Sequence, residues 1–281
     1  MRATGLYKTI DRLNIKRGIA IMIKIKNSMP VYYGDTFTIK LVRYSDPARL
    51  NAARNAARYL GKPDIANTRR PLSIIRMGHV PAIFRGEMAE FEFTDVSKEV
   101  YDHLATYSTA NMRVAGGNRA LRSEGYVLPS DKVKDENAVN LAIGDSMGNY
   151  YDLLDSGETP QVARSAMPVN AKLNTFVFQF NFLTLGQSVF KQRIWEKGAQ
   201  GNTEKVVQAM YELVEFMDAQ LWTTFYEWYG KPATDWVEVR RKIKKKNITL
   251  ADFVEQAGNI DGNILLEDVL VELYGEQKSM W

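Results

Sequence analysis

The stretch NMRVAGGNRALRSEGYVLP, residues 111–129, crowds Arg113, Arg119 and Arg122 around a Gly-Gly pair and Asn118. Guanidinium groups grip phosphate or carboxylate through paired N–H bonds and never lose their charge at physiological pH. Glycines let the backbone approach a ligand closely. The pattern suits an anion site on a turn, and a solvated arginine-rich surface has the same composition, so spacing alone leaves both open. Other chemistries are closed. The chain has no cysteine, which removes disulfides, thiolate metal sites and cysteine nucleophiles together. With two histidines, His79 and His103, a zinc site would depend mostly on carboxylates, and no metal centre is expected.

The elements that must position these residues follow from pattern. The chain has 281 residues, 45% apolar and 25% charged, enough for one large domain or two small ones with a substantial core. A net charge of +4 suits anionic small molecules as well as nucleic acid. No run is long and apolar enough for a membrane span, and the amino terminus lacks the apolar stretch of a secretory signal, so a cytoplasmic location is expected. IAIMIKI (19–25) and FTIKLVRY (37–44) read as strands separated by turn chemistry in SMPVYYGD. SDPARLNAARNAARYLG (45–61) reads as a helix capped by Ser45 or Asp46 and stopped by Gly61. AEFEFTDV (89–96) alternates like a strand with one wet face.

SKEVYDHLATYSTANMR (97–113) spaces Val100, Leu104 and Tyr107 as on a helix, with Asp95 or Ser97 as cap. Helical rhythm returns in NAVNLAIGDSMGNYYDLLDSG, and LNTFVFQFNF (173–182) reads as a strand. The longest helix is predicted over 203–230, with Val206, Met210, Leu213, Phe216, Met217, Leu221 and Phe225 as its apolar stripe and Gly230-Lys-Pro232 as its stop. The fold class is α+β: an antiparallel or mixed central sheet flanked by helices, including one long helix in the C-terminal half. Residues 1–230 are expected to form the main domain, and 231–281, opened by the basic run RRKIKKKN, a small helical extension.

Read in order, SDPARLNAARNAARYLG, GHVPAIFRGEMAEFEF, NMRVAGGNRALRSEGYVLP, ARSAMPVN and FQFNFLTLGQSVFKQRIWEKGAQ resemble the flavin-dependent thymidylate synthases over about 40–230. The signature of that family is Arg-His-Arg-x-x-Ser-x-Asn-x-x-Ser-x-Arg followed by an aromatic residue. Here Asn111-Met112-Arg113 stands where Arg-His-Arg is expected, Gly116 replaces the first serine, and Asn118 fits the asparagine. Arg119 falls where an acid is usual, Leu121 at the second serine, and Arg122 matches the last arginine one residue early. Ala163 to Pro168 matches Ala-Arg-x-x-Leu-Pro with methionine for leucine. Asn181 fits an Asn-x-Arg segment whose arginine is here Leu183, and Arg193 and Ala199-Gln200 fit with a one-residue slip.

The resemblance implies transfer of a one-carbon unit from methylenetetrahydrofolate to C5 of a pyrimidine deoxynucleoside monophosphate, with FAD as cofactor and NADPH to recharge it. That route needs no protein nucleophile, in keeping with a chain that has no cysteine. It implies Arg113, Arg122, Arg164 and Arg193 as substrate residues beside Gly116, with Arg122 and Arg164 on the phosphate and Arg193 on the pyrimidine edge. Arg193 and Arg122 are the catalytic candidates. His79, Asn118, Asn181, Gln187 and Arg113 are implied for the flavin, and a homotetramer with sites shared between subunits is implied for the assembly. The substitutions in the signature leave a variant reading open, in which a different pyrimidine is used or hydroxymethyl is delivered. A nucleic-acid-binding protein, using RRKIKKKN with Trp195, Trp222, Trp228 and Trp236, and a catalytically silent relative are the competing readings.

Overall fold

A computed structural model describes residues 12–14, 21–26, 29–62, 67–79, 81–107, 111–116, 123–130, 133–196, 201–244 and 251. β1 (Arg12–Asn14), β2 (Ile21–Lys26), β3 (Met29–Tyr33) and β4 (Thr38–Tyr44) form a meander, each strand antiparallel to the last. β5 (Met88–Thr94), β6 (Asn111–Ala115) and β7 (Phe176–Asn181) complete a seven-stranded antiparallel sheet of order β1-β2-β3-β4-β5-β7-β6. The expected α+β class with an antiparallel sheet is borne out. One expectation fails at its start: SMPVYYGD is not only a turn, because Val31, Tyr32 and Tyr33 pair with Lys40, Ile39 and Thr38 of β4. These β-formers outweigh Pro30, which lies at the beginning of the strand where a missing donor is tolerated.

The centre of the sheet is aromatic. Alternation in β5 turns Ala89, Phe91 and Phe93 inward, and β7 places Phe178 and Phe176 opposite the two phenylalanines. Phe93 stacks on Phe176 at 4.9 Å between centroids. Helix α7 (Gly201–Met217) lays Val206, Val207, Met210, Leu213 and Val214 into the same core.

Among the described residues, five α-helices precede β7 in the chain. α1 (Leu50–Tyr59) starts later than predicted, with the Asp46 carboxylate accepting from the Ala52 N–H at 3.1 Å. α2 (Arg70–Arg76) follows it. α3 (Lys98–Ala105) begins after Ser97 and ends eight residues short of the predicted limit, since Asn111–Ala115 pairs with β7 as an edge strand. α4 (Glu136–Asp155), capped by Asp135, and α5 (Pro160–Ala163), capped by Thr159, form a satellite cluster around Tyr150 and Met147. Among the described residues, no helix is long and apolar enough to cross a membrane.

The predicted long helix is broken at Asp218, after which α8 (Ala219–Phe225) begins. Asp218 Oδ1 accepts from the Leu221 N–H at 3.1 Å and pairs with the Arg49 guanidinium. Arg49 also donates to Gln220 Oε1 at 2.9 Å and to the Thr68 carbonyl at 3.2 Å. The stop predicted at Gly230-Lys-Pro232 does not occur. A π-helical turn over Tyr226–Gly230 runs straight into α9 (Lys231–Lys244), so Pro232, which has no N–H to donate, is carried within a continuous helical path.

Asp218 is only 6% exposed, and burial holds its carboxyl above the usual carboxylate range in spite of Arg49. The folded state therefore takes up this proton more readily than the unfolded chain, so the charge costs stability at neutral pH and the cost fades as pH falls. Arg49→Ala is expected to lower unfolding free energy by about 3 kcal/mol near neutral pH. In denaturant titrations the loss should shrink toward pH 5; a loss that grows with acid would contradict the pairing. Gly186 packs where an added Cβ would lie 2.5 Å from Phe225 Cε1. Gly186→Ala is expected to cost about 1–3 kcal/mol by overpacking, read as a lowered melting temperature.

Candidate active site

β7 ends at Asn181, whose side-chain oxygen accepts from the Thr184 N–H at 2.8 Å and starts α6 (Phe182–Thr184). Two π-helical turns, Leu185–Val189 and Lys191–Trp195, continue the same rod. A π turn takes up one residue more than an α turn. Arg193, which fits the resembling pattern with a one-residue slip, sits inside one of them.

Arg193 is 9% exposed. Its Nε donates to the Tyr107 hydroxyl at 2.8 Å, and its Nη2 reaches the His103 carbonyl at 3.4 Å and Thr106 Oγ1 at 3.5 Å. The guanidinium carbon lies 5.5 Å from the Tyr107 ring centroid. Among the described residues no carboxylate pairs with it. Its charge is met by the Tyr107 and Thr106 hydroxyls, an aromatic face and the His103 carbonyl near the C-terminus of α3, where the helix dipole is negative. Neutral acceptors offset a buried cation incompletely, and the remaining field favours an anion. Burial raises the Tyr107 hydroxyl above its ordinary pKa, with Arg193 pulling it back, so the phenol stays neutral.

A second grouping forms around Tyr229. Its hydroxyl donates to the His79 carbonyl at 3.1 Å, and the Gln187 side chain is near enough to act on the phenol. Burial raises its pKa and the Gln187 bond lowers it. Two of the flavin candidates, His79 and Gln187, are therefore brought together, with the His79 ring exposed. Asn181 lies on the same rod as Gln187 but spends its oxygen on the helix cap.

Arg164 is half-buried in the 3-10 turn that follows α5, and its guanidinium makes no hydrogen bond among the described residues. Arg113 lies in β6 opposite Phe178. Gly116 closes β6 with φ +90, and a Cβ there would lie 2.5 Å from Phe176 Cα and 2.7 Å from the Thr175 carbonyl. A serine, as the resembling signature carries, would collide with β7, so this departure has a packing cause. Asn118, Arg119, Leu121, Arg122 and Ala199-Gln200 lie outside the described residues.

Sequence reasoning missed Tyr107, Thr106, Gln192 and Tyr229. Tyr107 reads as one more apolar position of a helix, yet that helix has already ended, and its hydroxyl turns to Arg193. An open groove of about 540 Å³, lined by Arg69, Leu72, Arg76, Gln220, Thr223 and Glu227 among others, contains none of the predicted residues.

The model of one protein family, described as thymidylate synthase complementing protein, matches residues 40–217. Among solved structures, a UMP/dUMP methylase PolB from Streptomyces cacaoi, bound with 5-Br dUMP, aligns with a TM-score of 0.54. The likeness is at 19% identity and covers 69% of this chain and 96% of that one. At that identity the structural likeness is one of fold. No curated protein matches the chain. The matched span runs from β4 through α7, taking in the edge strand with Arg113, the turn with Arg164 and the rod with Arg193. On that match the chain belongs to the thymidylate synthase complementing protein family.

Proposed function

We propose that the chain is a flavin-dependent enzyme that transfers a one-carbon unit from methylenetetrahydrofolate to C5 of a pyrimidine deoxynucleoside monophosphate, dUMP or a close variant. The observation that carries this reading is Arg193, a buried cation that among the described residues is answered only by neutral oxygens and a ring. A guanidinium held this way favours a pyrimidine edge as negative charge builds on it. In the proposal Arg122 and Arg164 hold the phosphate, Arg113 stands between substrate and cofactor, and Gly116 offers backbone alone.

The flavin fits the neutral part of this donor set. Gln187, the free amide nitrogen of Asn181 and His79 would hold a heteroaromatic edge, with Tyr229 fixing Gln187 and the chain at His79. Arg113 and Asn118 would take the remainder. When bound, reduced FAD supplies the hydride that the side chains cannot, and NADPH restores it. A homotetramer that completes each site from several subunits is part of the same proposal. So is a catalytic unit of 1–230 with 231–281 as an appendage, even though the helical path runs unbroken from Tyr226–Gly230 into α9.

A second reading is the variant one, supported by Asn111-Met112 where the signature has Arg-His, by Arg119 where it has an acid and by Leu121 where it has a hydroxyl. A different pyrimidine monophosphate, or delivery of hydroxymethyl, fits such changes. The nucleic-acid reading loses Trp195 and Trp222, which lie in the core and offer no stacking face.

The purified protein is expected to be yellow or to bind added FAD. With NADPH, methylenetetrahydrofolate and dUMP or dCMP it should yield a C5-substituted nucleotide, methyl or hydroxymethyl, identified by mass spectrometry. Arg193→Gln should lower kcat/KM for the nucleotide about 100-fold. A protein with no affinity for FAD and none for either nucleotide would sink the reading.

A further inference from the structure

We propose that Tyr107 is the positioning residue that aims the Arg193 guanidinium at its anionic ligand, and that Gln192 sets the direction of that bond. The inference rests on the reading of Arg193 given above and adds residues the family signature does not contain. Tyr107 O–H donates its single proton to Gln192 Oε1 at 2.7 Å. Its oxygen is thereby left as an acceptor toward Arg193 Nε–H at 2.8 Å. The chain Arg193 to Tyr107 to Gln192 has one polarity throughout. If Gln192 offered no acceptor, the phenol proton could turn toward Arg193, and donor would face donor.

The support under Tyr107 is rigid for a physical reason. Arg193 and Gln192 are neighbours on a π-helical turn, while Tyr107 belongs to the turn that ends α3. Thr106 Oγ1 donates to the His103 carbonyl at 2.7 Å, closing that turn. His103 Nδ1 meets Thr203 Oγ1 at 2.6 Å, which fastens the turn to α7. The two elements thus grip each other at a side chain 86 positions away in sequence.

Nε is committed to Tyr107, and Nη2 reaches the His103 carbonyl and Thr106 Oγ1; among the described residues Nη1 has no hydrogen-bond partner, and in this proposal the Nη1 side of the guanidinium is what meets the ligand. Paired N–H bonds from a guanidinium suit two adjacent acceptor atoms. Loss of the Tyr107 oxygen strands a buried Nε–H, and the guanidinium gains by turning to find another acceptor. Such a turn misdirects the ligand-facing edge without removing it.

The test measures dUMP binding and KM against kcat on the full-length flavin-loaded chain. Tyr107→Phe keeps the ring and removes the acceptor, and should weaken dUMP about ten-fold and lower kcat as well, since the charge that builds on the pyrimidine loses its aimed guanidinium. Gln192 is exposed, so its variants perturb folding little. Gln192→Leu should reproduce part of the loss at unchanged melting temperature, and Gln192→Glu, which keeps an acceptor, should recover it. In an Arg193→Lys background, Tyr107→Phe should have no further effect. Normal dUMP binding by Arg193→Lys alone would overturn the assignment of Arg193 itself. Weakened binding there, with Tyr107→Phe and Gln192→Leu both unaltered, would overturn the positioning role only. Equal losses from Tyr107→Phe in both backgrounds would also overturn it.

Discussion

The antiparallel pairing of β5 with β7 is the constraint from which the candidate site takes its geometry. Phe91 and Phe93 face Phe178 and Phe176 across it, and the aromatic layer they form belongs to the same buried core as α7. A core of close-packed rings tolerates little sliding, because a slip by one residue would turn every phenylalanine to the wrong face. β7 is therefore fixed in register, and three site elements hang from it. Its far side pairs with β6, which carries Arg113 and closes at Gly116. Its end becomes the rod of Asn181, Gln187 and Arg193. The segment leading into it carries Arg164.

Two arginines removed from solvent show how the fold separates structure from function. Arg49 meets Asp218 and Gln220, spending its charge on a carboxylate that also caps α8. Nothing is left over for a ligand. Arg193 is buried to a similar degree but, among the described residues, faces a phenol, a hydroxyl and one backbone carbonyl. The first arrangement is electrically closed and the second is open, and the difference follows from the partner's chemistry, not from depth.

Much of the fold is legible in the residues. Alternation through AEFEFTDV and LNTFVFQFNF marks the two central strands, since side chains on a half-buried ribbon must change face at every step. The stripe from Val206 to Leu213 marks α7 in the same way. Failures occur where a short-range signal meets a long-range contact. Pro30 and Gly34 read as turn chemistry, yet β4 lies alongside and recruits Val31 to Tyr33 into the sheet. Asp218 looks like one polar residue on a helix until Arg49, distant in sequence, draws it into a cap. Tyr107 keeps helical spacing with Leu104, but α3 has already ended there. The arginines of the site are visible by type and order. What holds them is not, because Tyr107, Thr106 and the His103 carbonyl meet Arg193 only in the folded chain.

The π turns between Leu185 and Trp195 have a consequence for how this segment can vary. One extra residue in an ordinary α-helix rotates everything beyond it by about 100° and would swing an active-site arm out of place. A π turn takes up such a surplus as local widening, so this segment could gain or shed a residue and keep both its ends without a loop forming.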